Sequence, residues 1–537
     1  MTRSTLLAIL LFSHAFLFSQ SWQSIVTCSS PNQSNGISTK VYNNKVYYGG
    51  NFQGVLSIGF SSVTGLNGQD IFIGKANLSG FTEWILSIKG TSLDALSNIE
   101  VSGNQVIVSG QFTDSLFVGT DTLVNVNQNG AFIAFYDTLG NFVKSWQPDT
   151  YNADYMDFKF DSQGDLMITG EFRQYLNYGG FSMTVPSGGN FFLLKYSPSL
   201  DSILWGVYSQ GDANYGIKLC IDGDDNTYVT GAYNDGTTFI DTLINTGNLN
   251  HNMFVSKIDT DGNHKWITTI EGTGEVHGYG IACDDSSNVF AVGEFEGVLD
   301  VQGNILNSNG SFDGIIIKYD SAGNYVWAES LGGVNSDEAY EVILDENLDP
   351  IVLLEAHSGA EYKGQVLNIN GFDEPLIVKV KNADGSLIWD RSLHSTQTSG
   401  VVTSTSMGFA GNNLAITGAN RTSIIMNSQT YSAPNNKDFF VAIMGDSLTY
   451  HLGVQEKENE IVTLIYPNPT NGILHFQSEY PIELIEIYDS RGNLLLSEDV
   501  KQLKVTTDLK DLSPGIYFCR ILSKEKFKTH KIILTNY

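Results

Sequence analysis

The sequence runs to 537 residues with 29 Lys and Arg against 58 Asp and Glu, a formal net charge of −29. A body this acidic repels nucleic-acid phosphates and anionic membrane surfaces, which excludes both as partners, while it favours solubility and attracts cations. Four cysteines in so long a chain do not make a disulfide scaffold.

Residues 1–20 read as a secretory signal peptide. Arg3 precedes an apolar run from Leu6 to Phe18, and small or polar residues follow at Ser19-Gln20-Ser21. The run is shorter than the ~20 residues a spanning helix needs, and no later segment could span a membrane.

From residue 21 to 453 one unit repeats. Tryptophans stand at Trp22, Trp84, Trp146, Trp205, Trp266, Trp327 and Trp389, at intervals of 62, 62, 59, 61, 61 and 62 residues, and a fixed period of tens of residues marks a repeat architecture. Upstream of five of them stands an apolar strand ending in lysine: Lys75, Lys195, Lys257, Lys318 and Lys379. Gly130-Ala-Phe-Ile-Ala-Phe135 and Asp438-Phe-Phe-Val-Ala-Ile443 keep the pattern without the lysine, so that position reads as strand surface. Turns such as Asp259-Thr-Asp-Gly-Asn263 come next, their Gly and Asn tolerating positive φ.

Two further strands follow each tryptophan, the second closing on Gly50, Gly110, Gly170, Gly231, Gly293 and Gly418, with Glu355 in the sixth copy. Alternation with β-branched and aromatic residues supports four strands per unit. A segment of near-constant length, 19–21 residues, then precedes the lysine strand. This constancy predicts a projecting hairpin on every unit.

Four-stranded units that bury both faces close into a ring and remove exposed edges. The expected fold is all-β: a seven-bladed β-propeller followed by a small β-sandwich. The first strand, bearing Trp22, can complete the last blade, or Tyr450 can take that place. Residues 22–450 resemble the bacterial seven-bladed propeller repeat family, whose units read D-x-F-[IV]-x-K, D-x-x-G-N, W and Y-V-T-G. The resemblance implies the fold and no common reaction.

A charged linker spans 454–463, and the domain 464–537 follows. It carries Tyr466-Pro467-Asn468-Pro469 with Gly472, then Gly492, then Gly515 and Tyr517, and finally Lys531. This segment resembles the type A C-terminal sorting domain of the type IX secretion system used by Bacteroidetes. By that resemblance these residues form the sorting signal, the secretion machinery is a partner, and the protein is secreted or held at the outer cell surface. The charge divides at the same boundary, since residues 464–537 hold nine basic and nine acidic residues and the whole net charge lies before them.

Chemistry is sparsely signalled. Asp222, Asp224 and Asn226, and Asp259, Asp261 and Asn263, place oxygens at alternate positions as calcium loops do, but lack the distal bidentate glutamate and sit where the repeat needs turns. No other cofactor is expected. Cys220 and Cys283 fall on equivalent strands of adjacent units, close enough to leave a 220–283 bridge as the alternative, but a blade-to-blade spacing is expected to exceed the ~7 Å between Cα atoms that a bond tolerates. All four cysteines, with Cys28 and Cys519, read as small buried apolar residues. His251, His264, His277, His357, His394 and His451 share no zinc spacing, and no catalytic motif is present. The favoured reading is a non-enzymatic binding or adhesion propeller for an extracellular polysaccharide or protein. Alternatives are a polysaccharide hydrolase or lyase with carboxylates at the channel, and, less favoured, a quinoprotein-like dehydrogenase.

Overall fold

Alternating apolar and polar residues punctuated by Gly, Asn and Asp turns give strands along the whole chain, and among the described residues no helix forms. The computed structural model describes residues 20–446 and 463–535, less 31, 128, 187, 212–213, 245–246, 248–249, 370, 396–401, 427–428, 434–436, 467, 469, 490–493, 511 and 524–525. Residues 1–19 of the expected signal peptide, 454–462 of the expected linker and Tyr450 therefore lie outside the described residues, while Gln20 and Thr463 open strands. The chain divides into two units, Met1–Leu448 and Thr449–Tyr537.

Seven four-stranded antiparallel sheets can be traced among the described residues of the first unit. Numbered by their inner strands, they are blade 1 (Ser34–Tyr42), blade 2 (Asp94–Ser102), blade 3 (Asp149–Phe160), blade 4 (Tyr215–Ile221), blade 5 (Val276–Cys283), blade 6 (Glu338–Leu344) and blade 7 (Val402–Ala410). Each inner strand touches its neighbours on both sides, and blade 7 touches blade 1, so the ring closes. The outer strand of blade 7 is the first strand of the chain, Gln20–Ser29, paired antiparallel to Asp438–Asp446.

Every inner strand carries a bulge at the same level, from Gly36/Ser38 in blade 1 to Ser404/Ser406 in blade 7. The recurring glycine lies opposite that bulge. A Cβ on Gly50, Gly231, Gly293 or Gly418 would come within 2.0 Å of an inner-strand carbonyl oxygen, and glycine permits that approach. In blade 6 the residue in register is Leu354, paired with Ala339, so Glu355 stands one place beyond the glycine position rather than on it.

The seven hairpins form, but they do not project freely. Six pair with the end of the preceding blade: Ile58 with Cys28, Leu116 with Gly90, Phe239 with Ser209, Leu299 with Gly272, Tyr362 with Leu331, and Ile424 with Ser395; in blade 3 Leu176 pairs with Thr150, at the start of the long strand that runs in from blade 2. Those hairpin residues are buried. The hairpins thus staple blade to blade, because a lone hairpin exposes an apolar face that the neighbouring sheet can cover.

Register also corrects the tryptophan ladder. Trp84, Trp205, Trp266, Trp327 and Trp389 stand opposite the strand lysines Lys75, Lys195, Lys257, Lys318 and Lys379. In blade 7 the residue at that place is Ser24, opposite Ile443, and Trp22 lies two residues earlier. In blade 2 it is Lys144, opposite Phe135, and Trp146 lies two residues later. Blade 2 has exchanged the pair: the ammonium of Lys144 sits 5.1 Å from the Phe135 ring and donates to the Pro198 carbonyl at 2.8 Å.

The tryptophans in register reach across to the turn of the next blade. Nε1 donates to the carbonyl of Thr138 from Trp84, Thr260 from Trp205, Ser321 from Trp266 and Asn382 from Trp327, at 3.0–3.4 Å. The indoles of Trp205, Trp266 and Trp327 lie against Gly262, Gly323 and Gly385, all at positive φ. The strand lysines are not surface residues. Lys195 reaches Asp161 at 2.7 Å, Lys257 reaches Asp222 at 3.6 Å and Lys379 pairs with Asp345, binding the third strand to the inner-strand turn of the same blade.

The second unit has five strands, Thr463–Tyr466, Ile473–Tyr488, Leu494–Asp508, Gly515–Ser523 and Lys526–Leu534. They bond as one sheet around the long second strand, whose bulges lie between Gln477 and Leu484. Leu474 and Phe476 before the bulges share one core with Ile485, Ile487, Ile521 and Ile532, which is how a single sheet doubles into a sandwich.

Candidate functional site

Inner strands begin, and second strands end, at the end of the ring that carries the hairpins. The residue after the strand-closing glycine therefore lies there in every blade: Asn51, Gln111, Glu171, Ala232, Glu294, Glu355 and Ala419. Three are glutamates, and two of these organise a cluster on blades 5 and 6. Opposite Glu294 is His277, and opposite Glu355 is Glu338. The bulge residues are Tyr279 and Tyr340, since a bulge re-aims the extra side chain.

In blade 5 the carboxylate of Glu294 accepts from His277 Nδ1 at 2.9 Å and from Tyr279 OH at 2.6 Å. In blade 6 the Tyr340 hydroxyl donates to Glu338. The rings run on between blades: Tyr215 to His251 is 6.3 Å, His251 to His277 5.5 Å, His277 to Tyr279 6.0 Å and Tyr279 to Tyr340 5.6 Å. His251 Nδ1 lies 2.8 Å from Glu275, which also lies 3.6 Å from His277 Nε2.

Beyond Tyr340 the basin is acidic. Burial pushes the Glu355 carboxyl up to about 9, helped by the neighbouring charges of Asp373 and Glu338. Burial also raises Glu338 and Asp373, against the pull of His357 on both and of Arg421 on Asp373. A carboxyl that keeps its proton at neutral pH is one that can donate.

The waist of the channel is different. Lys40, Lys159 and Lys218 meet Glu100, Asp157 and Glu341 there, with Lys159 at 2.8 Å from Glu100 and Lys218 at 3.7 Å from Asp157. A cavity of about 270 Å³ lies among Lys40, Asp157, Lys159, Lys218 and Glu341. Burial opposes ionisation of Glu100, but Lys159 and Lys40 overcome it and hold its carboxyl at about 2. These carboxylates are neutralised in place and tie blades together.

A second buried acid sits between blades 1 and 2. Burial, with the charge of Asp70, raises Asp94 to about 8. Where a folded carboxyl titrates above its unfolded value near 4, the folded state holds a proton the unfolded state has lost, so stability falls as pH rises from about 4 through 8. Asp94→Asn is expected to flatten that fall and to raise stability at pH 9 on the order of 2 kcal/mol, with little change at pH 5. Urea unfolding across pH 5–9 measures it; a parallel shift at every pH would contradict the assignment.

The calcium candidates lie in turns. Asp222 accepts from the amides of Asp224 and Asn226 at 3.0 and 2.9 Å, from Tyr228 OH at 2.9 Å and from Ser287 Oγ at 2.6 Å. Asp259 likewise accepts from the amides of Asp261 and Asn263 at 3.1 and 2.8 Å. Their oxygens serve turn geometry.

Sequence reasoning separated the histidines because it looked for spacing along the chain, whereas His251 and His277 meet across two blades. The departures in the position after the glycine were the available signal. Sequence reasoning also set Cys220 and Cys283 apart, but they form a disulfide with Cα atoms 6.0 Å apart. Inner strands converge on the axis, so their spacing is shorter than that of whole blades. Cys28 and Cys519 are free thiols, and burial pushes them up to about 11 and about 12.

In the second unit Asn468 clips its loop to the last strand, donating from Nδ2 to the Lys531 carbonyl at 2.7 Å and accepting from the Ile533 amide at 2.9 Å. Gly472 takes φ 122°, Gly515 opens the fourth strand, Tyr517 is buried with its hydroxyl on the Ser513 carbonyl, and Tyr466 and Lys531 are exposed. Pro467, Pro469 and Gly492 lie outside the described residues. Residues 464–535 match the secretion system C-terminal sorting domain. This unit is a sorting domain of that family. It addresses the chain to the type IX secretion system, and so to the cell surface or the medium. Among the described residues no helix is long and apolar enough to cross a membrane.

Over 347 residues the chain is 25% identical to a WD repeat-containing protein of Acanthamoeba polyphaga mimivirus, covering 51% of this chain and 24% of that protein. It thus spans about a quarter of that relative's length. Among solved structures it is similar to PorZ, a surface component of the type IX secretion system of Porphyromonas gingivalis, at 10% identity and TM-score 0.27 over 93% of this chain and 75% of that one. An ulvan lyase aligns at 8% identity and TM-score 0.45 over 80% and 96%, and Drosophila Semaphorin 2a at 7% and 0.38 over 96% and 99%. Likenesses of this size carry no chemistry to this chain.

Proposed function

We propose that this exported propeller binds an extracellular polysaccharide at the hairpin end of its ring, on blades 4 to 6. The supporting observation is the gathering of Tyr215, His277, Tyr279, Glu294, Tyr340 and Glu355 at one end of the ring. Aromatic faces with polar tips and carboxyl groups in a partly dry basin suit sugar rings, which offer both apolar faces and hydroxyls. Glycan-array retention by the full chain, followed by calorimetry on the retained polymer, tests this. Tyr279→Ala and Glu355→Gln are each expected to weaken binding by about 10-fold or more, worth 1.4 kcal/mol. Unchanged binding in both would remove the basin from the account.

One observation favours a second reading, cleavage of that polymer: Glu355 holds its proton beside Asp373, as a general acid must. Product release from the retained polymer, lost in Glu355→Gln while binding persists, would support it.

A further inference from the structure

We infer that His251, Glu275 and His277 form a binding site for one first-row transition-metal dication of the zinc type. The inference concerns the same end of the ring but does not depend on a polysaccharide being the ligand. One ligand atom from each of the three residues lies within 4.8 Å of the other two. The separations of His251 Nδ1 and His277 Nε2 from Glu275 Oε2, 2.8 and 3.6 Å, bracket the roughly 3.3 Å between donors around a tetrahedral zinc with arms near 2.0–2.1 Å.

A second observation points to a metal rather than to a chance cluster. His277 gives its Nδ1 proton to Glu294, whose side chain is 7% exposed and which also accepts from Tyr279. That bond orients the ring so that Nε2 faces Glu275 Oε2 at 3.6 Å, too far for a direct hydrogen bond. A histidine whose far nitrogen is held by a carboxylate is the usual support of a metal ligand.

The loop bearing His251 is pinned as well. Its amide donates to Glu275 Oε2 at 3.1 Å, and its carbonyl accepts from Val276 at 3.0 Å. The side chains of His251 and Glu275 remain 31% and 36% exposed, so water or a ligand oxygen can complete the shell. Two imidazoles and one carboxylate favour zinc over calcium or magnesium, which prefer all-oxygen shells. The acidic body raises the local concentration of any dication.

The test is calorimetric titration of the tag-free, chelator-stripped full chain with zinc chloride, with metal content measured after dialysis and no glycan present. One equivalent is expected. His277→Ala and Glu275→Gln are expected to lose at least about 100-fold in affinity, and Glu294→Gln about 10–100-fold as the outer support. His264→Ala, whose imidazole pairs with Asp241 elsewhere, should bind like wild type, and calcium should not displace zinc. Circular dichroism confirms folding of each variant. Should His277→Ala not fold, His251→Ala, altered on a partly exposed loop, decides the matter. The assignment is overturned if the folded wild-type chain takes up no zinc, or if His251→Ala binds it unchanged.

Discussion

Trp327→Ala is expected to lower the unfolding free energy by about 3–5 kcal/mol, as truncation of a buried indole does. Trp327 is 7% exposed; it donates to the Asn382 carbonyl of the next blade at 3.0 Å and lies against Gly385, where a Cβ would meet its ring at 3.1 Å. Removing it therefore opens a cavity and unties two blades at once. Trp22→Ala should cost less than half as much, because Trp22 lies two residues outside the clasp and Ser24 takes that place, its hydroxyl on the Leu78 carbonyl at 2.7 Å. Urea denaturation of the two variants followed by circular dichroism makes the comparison. Equal losses would show that the clasp carries no special share of the stability. Gly385→Ala adds a check from the other side. At φ 64° an alanine is strained and presses on the same ring, so a further destabilisation of about 1–2 kcal/mol is expected.

Much of this architecture was legible because each repeated element is fixed by a local constraint. Positive φ in the turns selects Gly and Asn, the inner-strand carbonyl selects glycine opposite the bulge, and pairing with the neighbouring blade holds the hairpin length. Register was less legible. Trp146 and Trp22 keep nearly the same beat as the others, yet a displacement of two residues preserves strand facing and so leaves the alternation unchanged. The 59-residue interval after Trp146 was the trace of it: measured from Lys144, the neighbouring intervals become 60 and 61. The candidate site was least legible, since His251, His277, Glu294 and Glu355 are assembled by ring closure, which no local spacing records.

The repeat-breaking residues and the repeat-keeping ones divide the labour of the ring. Lysine, turn aspartate and glycine recur because every blade must hold its own strands together, and tryptophan recurs because it ties one blade to the next. Tyr279, Tyr340, Glu294 and Glu355 stand where the residue type changes from blade to blade: Asn51, at the place of Glu294, bonds the Leu96 amide of the next blade, while Glu294 holds His277 and Tyr279. Blades 5 and 6 use the same three register positions with different chemistry, histidine–glutamate–tyrosine in one and glutamate–glutamate–tyrosine in the other. One position set thus supplies a metal-capable half and a proton-holding half.

Loss of the Cys220–Cys283 bridge is expected to cost about 4 kcal/mol, from the loop entropy of a crosslink spanning 63 residues. Its place in the ring gives the reason. At the axis Ser38 bonds Asn98 at 2.9 Å, Asn98 bonds Asp157 at 2.5 Å, the Leu219 amide bonds Asp157 at 3.0 Å, the Met407 amide bonds Glu341 at 2.5 Å and the Thr39 amide bonds Ser406 at 3.1 Å. Those bonds join blades 1 to 4 in series, and 6 to 7 to 1. In blade 4 the corresponding residue is Lys218, an ammonium with no acceptor to offer the amide of the next blade, and the covalent bond joins blades 4 and 5 instead. An exported chain folds where such bonds persist. The double variant Cys220→Ala/Cys283→Ala should melt well below wild type, each single variant should match the double, and a reductant should lower the wild-type midpoint while leaving the double variant unmoved. Mass spectrometry after thiol alkylation should find Cys28 and Cys519 as the free thiols. Four alkylated cysteines in the native protein, with no change of midpoint under reductant, would instead leave the junction of blades 4 and 5 to packing and to hydrogen bonds such as Ser287 to Asp222 and Trp266 to Ser321.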